Sequence, residues 1–328
     1  MEATQSADAS SARARSGAEE AGEALRIGRG DRVRIAWVAG SEGIRGGEER
    51  EGITGGDRVG GLTGGDGVGG IADVRLVRGE KMNALDDAMF DALIEAGEAL
   101  RTLPGLRGVV LSGQGKAFCA GLDMGRFQAM AGQPGASHAL RLMPREFGTA
   151  NKPQHAVLVW RRVPVPVIAA VHGVAFGGGF QLMLGADLRV LAPDARLSIM
   201  EVKWGLVPDM GGLALLRHLM PGDRVRELTY TARVFTGTEA LALGLATRIA
   251  NDPHAEALAL AKLVAAQSPD AVRAAKRLFL EAEDGADEAQ MLLAESREQS
   301  ALLGSPNQVE AVRAGLERRV PSWREPAL

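Results

Sequence analysis

The segment running from Pro164 to Gly212, PVPVIAAVHGVAFGGGFQLMLGADLRVLAPDARLSIMEVKWGLVPDMGG, constrains the fold more than any other part of the chain. Its apolar run from Val165 to Val171 is rich in β-branched residues and too short for a typical helix, so it reads as a buried strand. Pro164 and Pro166 stand at its start, where a missing N–H does least harm to a ladder. Three glycines, Gly177 to Gly179, then lead into FQLMLGADL, a helical pattern. Glycines at a strand-to-helix turn let backbone approach a ligand closely and leave amide N–H groups open at a helix start. Glu201 follows in SIMEVKWGL, and Asp209 stands eight residues later, before a glycine pair. A donor-rich turn followed by two carboxylates suits proton transfer beside a developing oxyanion.

The flanking sequence extends this strand-and-helix alternation. DRVRIAWVA, from Asp31 to Ala39, alternates as a first strand, and Ile71 to Arg78 reads as its hairpin partner. Between them the chain is nearly half glycine over residues 40–70, with TGGDRVGG (54–61) recurring as TGGDGVGG (63–70). Gly65, Gly67 and Gly70 satisfy G-x-G-x-x-G, but no helix opens there, so the segment is read as an expanded mobile loop without chemistry. After Leu85 a helical face carries Met89, Leu93, Ala96 and Leu100; Pro104 and Gly105 end it, and LRGVVLSG is the next buried strand. Thr236 with Glu239, Ser268 with Pro269, and Ser305 with Pro306 mark helix starts in the C-terminal part. The architecture expected is α/β, or α+β by some schemes, with residues 1–30 a disordered tail, 31–250 the core and 251–328 a helical region.

Several function classes are disfavoured. The net charge of −3 gives no electrostatic reason to expect nucleic acid. No apolar stretch is long enough to span a bilayer, so no membrane association is expected. The single cysteine, Cys119, excludes an intramolecular disulfide framework and suits a reducing compartment. The N-terminal segment lacks the apolar core of a secretory signal and is too acidic for a transit peptide, so a cytoplasmic location is expected. The five histidines have no metal-ligand spacing; His172 is read as structural and Cys119 as buried filler.

PVIAAVHGVAFGGGFQL with the sequence that follows it resembles the crotonase family of enoyl-CoA hydratases and isomerases. KAFCAGLDM at 116–124, VRLVRGEKMNAL at 74–85 and SPDAVRAAKRLF at 268–279 resemble further blocks of that family, in its order. The resemblance implies a spiral of ββα units followed by helices that build a homotrimer or hexamer. It implies an acyl-CoA substrate, with CoA entering as part of that substrate and no separate cofactor or metal. The oxyanion-hole donors would be the backbone amides of Leu122 and Gly178. Glu201 matches the second glutamate of the hydratases, whereas the first is replaced by Gln181. Asp209 matches an aspartate of the dienoyl-CoA isomerases, with the same spacing from the glutamate. Ala120 would meet the adenine through its carbonyl, while Arg78, Lys81 and Lys276 are candidate contacts to the nucleotide phosphates. The irregular stretch from Gly125 to Arg162 would border the acyl pocket. Double-bond isomerisation is the leading expectation, with hydration second and a non-catalytic CoA-thioester-binding subunit as the reading from another class.

Overall fold

Strands that read as continuous apolar runs become the interior of one sheet. The computed structural model of the chain describes residues 25–27, 31–39, 69–132 and 142–326. The chain begins with β1 (Leu25–Ile27), β2 (Val33–Ala39) and β3 (Gly70–Leu76), then α1 (Asp87–Arg101) and β4 (Leu106–Gly113). β2 and β3 pair antiparallel from Val33↔Leu76 to Ala39↔Gly70, as the hairpin reading requires. Residues 40–68, which include most of the near-repeat, lie outside the described residues.

One expectation is corrected here. Residues 1–30 were read as a disordered tail, yet Leu25–Ile27 forms a strand antiparallel to β2, with Leu25 opposite Ile35 and Ile27 opposite Val33. The polar composition of the first thirty residues hides the short alternation Leu25-Arg26-Ile27, and the outer edge of β2 offers backbone groups that need partners. Residues 1–24 lie outside the described residues.

After β4 come α2 (Met124–Gly132), α3 (Lys152–Arg161), β5 (Val167–Val171), β6 (Val174–Phe176), α4 (Gly178–Leu184), β7 (Leu188–Leu191) and β8 (Arg196–Ser198). A 3-10 helix, Glu201–Trp204, is followed by α5 (Gly212–Leu216), α6 (Gly222–Thr231), β9 (Phe235–Thr236), α7 (Gly237–Ala242) and β10 (Arg248–Ile249). Four helices close the described chain: α8 (Pro253–Ala265), α9 (Pro269–Glu283), α10 (Glu288–Leu302) and α11 (Pro306–Glu317). Seven strands form the main sheet in the order β1-β2-β3-β4-β5-β7-β10, and β6-β8-β9 form a second, smaller sheet. Twice the chain leaves a main-sheet strand for a short strand of the second sheet, from β5 to β6 and from β7 to β8.

The parallel centre of the main sheet is covered on both faces, which is why its strands are apolar throughout rather than alternating. Ile71, Val110, Ile168 and Val190 pack with Ala257, Ala261 and Ala265 of α8. Their strand neighbours Val74, Val109, Leu111, Val167 and Ala169 join Met89, Leu93 and Leu100 of α1 and Trp160 of α3 in the larger core. The period of two along a strand sets this division. All four residues expected on one face of α1 are fully buried. Asp86 caps α1 by accepting from the Met89 N–H, and Asn151 with Gln154 forms a reciprocal capping box on α3. Thr236 and Ser305 also cap as expected. Ser268 occupies the cap position of α9, but its side chain accepts no cap hydrogen bond. Among the described residues no helix is long and apolar enough to cross a membrane.

Candidate active site

The site lies where the second sheet meets the start of α4. Between β5 and β6 the chain turns at Gly173, whose φ is +61° and where a Cβ would fall 1.9 Å from the Lys116 carbonyl oxygen. Only glycine fits such a position. This turn lays β6 beside the 117–121 segment: Phe118 N donates to His172 O, Cys119 N to Val174 O, and Phe176 N to Cys119 O. At Gly179 a Cβ would meet the Cys119 carbonyl oxygen at 2.2 Å, so α4 is pressed directly against the same segment.

That close approach brings together the two amides expected to serve as donors. A side chain on Gly121 would meet Phe176 O at 2.5 Å and the Gly178 nitrogen at 3.5 Å. Leu122 bridges to Leu85 in parallel register, with Leu85 N donating to Gly121 O and Asp123 N donating to Leu85 O. This pattern uses the carbonyl of Gly121 and the N–H of Asp123, and leaves the N–H of Leu122 turned away from Leu85. Gly178 is the first residue of α4, where an N–H has no intrahelical acceptor. Among the described residues neither amide donates to a backbone carbonyl.

Glu201 begins the 3-10 helix and is only 9% exposed. Its Oε1 accepts from Gln181 Nε2 at 2.6 Å, while its Oε2 is buried without a partner. A Cβ on Gly177 would sit 3.5 Å from Glu201 Oε1, which places the carboxylate against the glycine turn. Burial raises the Glu201 pKa above the ordinary glutamate value; the nearby Asp209 charge adds to the rise, and the Gln181 hydrogen bond opposes it. The Asp209 pKa is also raised by desolvation, although the residue is exposed. The structure therefore brings Glu201, Gln181, Asp209 and the glycine turn together, as the sequence led one to expect.

The nucleotide contacts fare differently. The Ala120 carbonyl accepts no backbone hydrogen bond among the described residues, and its N–H is tied to Met82 O at 2.9 Å. Lys81, next to Met82, is exposed beside it. Lys276 was expected to be a phosphate contact, and the structure corrects this. Its side chain is 5% exposed, and its Nζ is committed to Val165 O at 2.9 Å and Asp187 Oδ2 at 2.7 Å. An ammonium locked between α9 and the start of β5 is a packing element. Arg78 is likewise engaged, with Ala84 O at 2.9 Å and Asp123 Oδ2 at 2.7 Å. Through Asp123 it is tied to the residue that follows Leu122.

Sequence reasoning missed Asn83. Its φ is +54°, and its side chain accepts from Arg78 N and donates to Gln114 O and Ala117 O, pinning the chain that leads to Cys119. The signal was an asparagine in a short turn, a residue type that tolerates left-handed backbone. The His172 Nε2 lies 2.9 Å from Gly115 O. Cys119 is fully buried, and burial pushes its thiol up to about 12, so it is no nucleophile at neutral pH. Among the described residues no group of three or more His, Cys, Asp or Glu is placed to hold a metal ion. A cavity of about 370 Å³ lies elsewhere, among the C-terminal helices, where Arg277 pairs with Glu298 and Arg273 with Glu325.

Two amides without backbone acceptors and a buried, unpartnered carboxylate oxygen are the groups that proton transfer beside an oxyanion would use. The comparisons carry the assignment further. The enoyl-CoA hydratase/isomerase family profile matches residues 66–326. The mitochondrial Delta(3,5)-Delta(2,4)-dienoyl-CoA isomerase of Mus musculus is 33% identical over 254 residues, covering 76% of this chain and 77% of that protein. The carnitinyl-CoA dehydratase of Salmonella arizonae is 34% identical over 251 residues, covering 74% and 91%. The crystal structure of an enoyl-CoA hydratase from Polaromonas sp. JS666 superposes with a TM-score of 0.70 at 31% identity, covering 77% of this chain and 96% of that one. The chain belongs to the enoyl-CoA hydratase/isomerase family, the crotonase superfamily, and is an acyl-CoA enzyme of the isomerase or hydratase type.

Proposed function

We propose that the protein isomerises enoyl-CoA thioesters, shifting a 3-enoyl or 3,5-dienoyl double-bond system into conjugation with the thioester. The observation that carries this reading is the replacement of one member of the hydratase carboxylate pair by Gln181, an amide that neither gives nor takes a proton near neutral pH. In the proposed reaction the thioester oxygen accepts from the amides of Leu122 and Gly178. Glu201 takes a proton from C2, and the C–H electron pair delocalises into a dienolate whose charge rests on the thioester oxygen. The same proton returns to C4, leaving the double bond between C2 and C3 with no atom gained or lost. For a 3,5-dienoyl substrate the proton is redelivered at C6, and Asp209, electrostatically coupled to Glu201, is the second station for that longer path. The mouse relative carries dienoyl-CoA isomerase in its name, which agrees with the reading.

CoA arrives as part of the substrate, with the Ala120 carbonyl meeting the adenine and Lys81 near a phosphate; no separate cofactor takes part. Self-association through the C-terminal helices, as a trimer or hexamer in a cytoplasmic setting, belongs to the same reading. Phe279, Leu292, Leu293 and Leu316 on those helices leave 56–81% of their surface exposed, and sedimentation measures whether that surface is covered.

Hydration is the second reading, favoured by Asp209, whose carboxylate could direct a water in place of the missing glutamate. Purified protein given 3-enoyl-, 3,5-dienoyl- and 2-enoyl-CoA decides between them. Faster double-bond migration than hydration is expected. Efficient hydration of crotonyl-CoA without migration overturns the isomerase reading, and no turnover of any substrate, alongside CoA-thioester binding, points to a binding subunit.

A further inference from the structure

The start of β4 carries a buried arginine pair that the proposed chemistry does not use. Arg107, the second residue of that strand, and Arg273 of α9 are each only 5% exposed. A guanidinium buried to that degree normally has its N–H groups paired. Here the pairing is incomplete. Both arginines face one carboxylate, Glu325, which lies 3.3 Å from Arg107 Nη2 and 3.5 Å from Arg273 Nη2. Charge-assisted bonds are shorter, about 2.7–2.9 Å. Arg273 Nη2 also donates to Leu106 O at 3.3 Å. Arg107 Nη1 and Arg273 Nε are buried with no hydrogen-bond partner among the described residues. Burial lowers the pKa of both guanidiniums, and the Glu325 charge opposes that shift.

The cavity of about 370 Å³ opens beside this pair, with Arg273, Arg277, Glu298, Asn307, Arg324 and Glu325 in its lining. Its volume falls within the range of small-molecule sites, about 300–1,000 Å³. Arg277 and Glu298 are bound to each other by two bonds of 2.8 and 2.6 Å, and Asp270 accepts from Asn307 Nδ2 at 2.6 Å. The donors left over are therefore those of Arg107 and Arg273. Glu325 is the removable part of the arrangement. It sits on the irregular chain after α11, and its side chain keeps 39% of its surface exposed. That chain is tied down two residues earlier, where Trp323 Nε1 donates to Ala266 O at 3.1 Å.

We propose that this cavity binds a small phosphate-bearing anion, which takes the guanidiniums of Arg107 and Arg273 and displaces Glu325 with the tail that carries it. Both forks already reach one carboxylate, which has two oxygens and one charge. A phosphate group offers more oxygens and about two charges, enough to engage the donors that Glu325 leaves idle. The site is separate from the candidate active site. From Arg107 to Gly113 the strand rises roughly 20 Å, at about 3.3 Å per residue, before the chain reaches the 117–122 segment.

Inorganic phosphate and glycerol phosphate are titrated separately into the full-length protein by calorimetry, at constant ionic strength. The tail is followed by 19F NMR of 5-fluorotryptophan-labelled protein, with the Trp323 resonance assigned by its loss in Trp323→Phe. Saturable binding that shifts this resonance is expected. Saturation by both ligands identifies the free ion as sufficient, and saturation by glycerol phosphate alone identifies a phosphate monoester. Glu325→Gln should bind about tenfold more tightly if the carboxylate holds the wild-type site about nine-tenths of the time. It should also melt below wild type, since two buried guanidiniums lose their counter-charge, and phosphate should restore the loss. A purely structural ion pair predicts the lower melting temperature without the rescue, and that result overturns the proposal. Arg273→Met should abolish binding, and Arg273→Lys, which keeps the charge but not the fork, should weaken it. Undiminished binding in both Arg273 variants places the anion elsewhere and overturns the site. Binding that leaves the Trp323 resonance unmoved overturns displacement of the tail.

Discussion

Replacing Glu201 by glutamine should stabilise the protein at neutral pH while removing its activity. Glu201 is buried, its Oε2 has no partner, and Asp209 places a second negative charge in range. The folded protein therefore holds this proton more tightly than the unfolded chain does. A carboxyl of that kind contributes its full share of stability below the ordinary glutamate range, and the contribution is lost as pH rises through its raised native value. An unsatisfied buried polar group costs about 1–3 kcal/mol, and more when charged. Glutamine keeps the acceptor for Gln181 Nε2 but puts an NH2 where the unpartnered Oε2 was, so only part of the cost is recovered. A net gain of about 1 kcal/mol at pH 8 is expected, or about 2 °C in melting temperature for a chain of this size. Scanning calorimetry from pH 4 to pH 9 reads it as a gap between wild type and variant that closes toward acid and opens toward alkali. A gap independent of pH, or a variant that loses ground to wild type as pH rises, refutes the account of Glu201 as a strained, ionised base.

Gly178→Pro should lower kcat by about 10²–10³-fold, the loss typical of one oxyanion donor, in a protein that still folds, because proline is tolerated at the first position of a helix; turnover with a panel of enoyl-CoAs checks it, and wild-type turnover would mean that the donor lies elsewhere. Lys276→Met should cost about 3 kcal/mol in denaturant titrations, the low end for breaking a buried pair, since Asp187 keeps its bond from Val167 N; CoA affinity of the folded variant should be unchanged. Removing residues 1–24 should leave solubility and melting temperature intact, whereas removing residues 1–28 takes away β1 and should promote aggregation by baring the edge of β2; light scattering distinguishes the two truncations.

Much of the fold was legible because burial on both faces writes itself as apolar runs. β4 has the bounds that its sequence suggested, and the face of α1 follows the helical period. β1 was not legible, since three residues in a polar tail carry no period, and their place depends on an edge supplied by a strand six residues further on. Lys276 was misread for a related reason. A lysine in an amphipathic helix looks solvated until the helix is docked, and its partner Asp187 is 89 residues away in sequence.

The candidate site divides along the same line. The expectation that Leu122 and Gly178 supply the donors came from the resemblance of the glycine triplet and the FCAGLDM block to the family's motifs. The relation between carboxylates depends on side chains meeting across the fold, and that meeting decides the chemistry. Gln181 reads in the sequence as a lost acid, a subtraction from the hydratase pattern. In the structure the same amide satisfies two loop N–H groups that would otherwise be buried unpaired, and it spends its own donor on Glu201. Replacing a carboxylate by an amide at this position therefore removes one proton carrier while keeping a hydrogen-bond partner for the other. The pair changes from two carboxylates to one carboxylate with an amide partner, and Asp209 stands one residue before the Met210 amide that Gln181 binds. That arrangement favours carrying a proton along an acyl chain over directing a water to it.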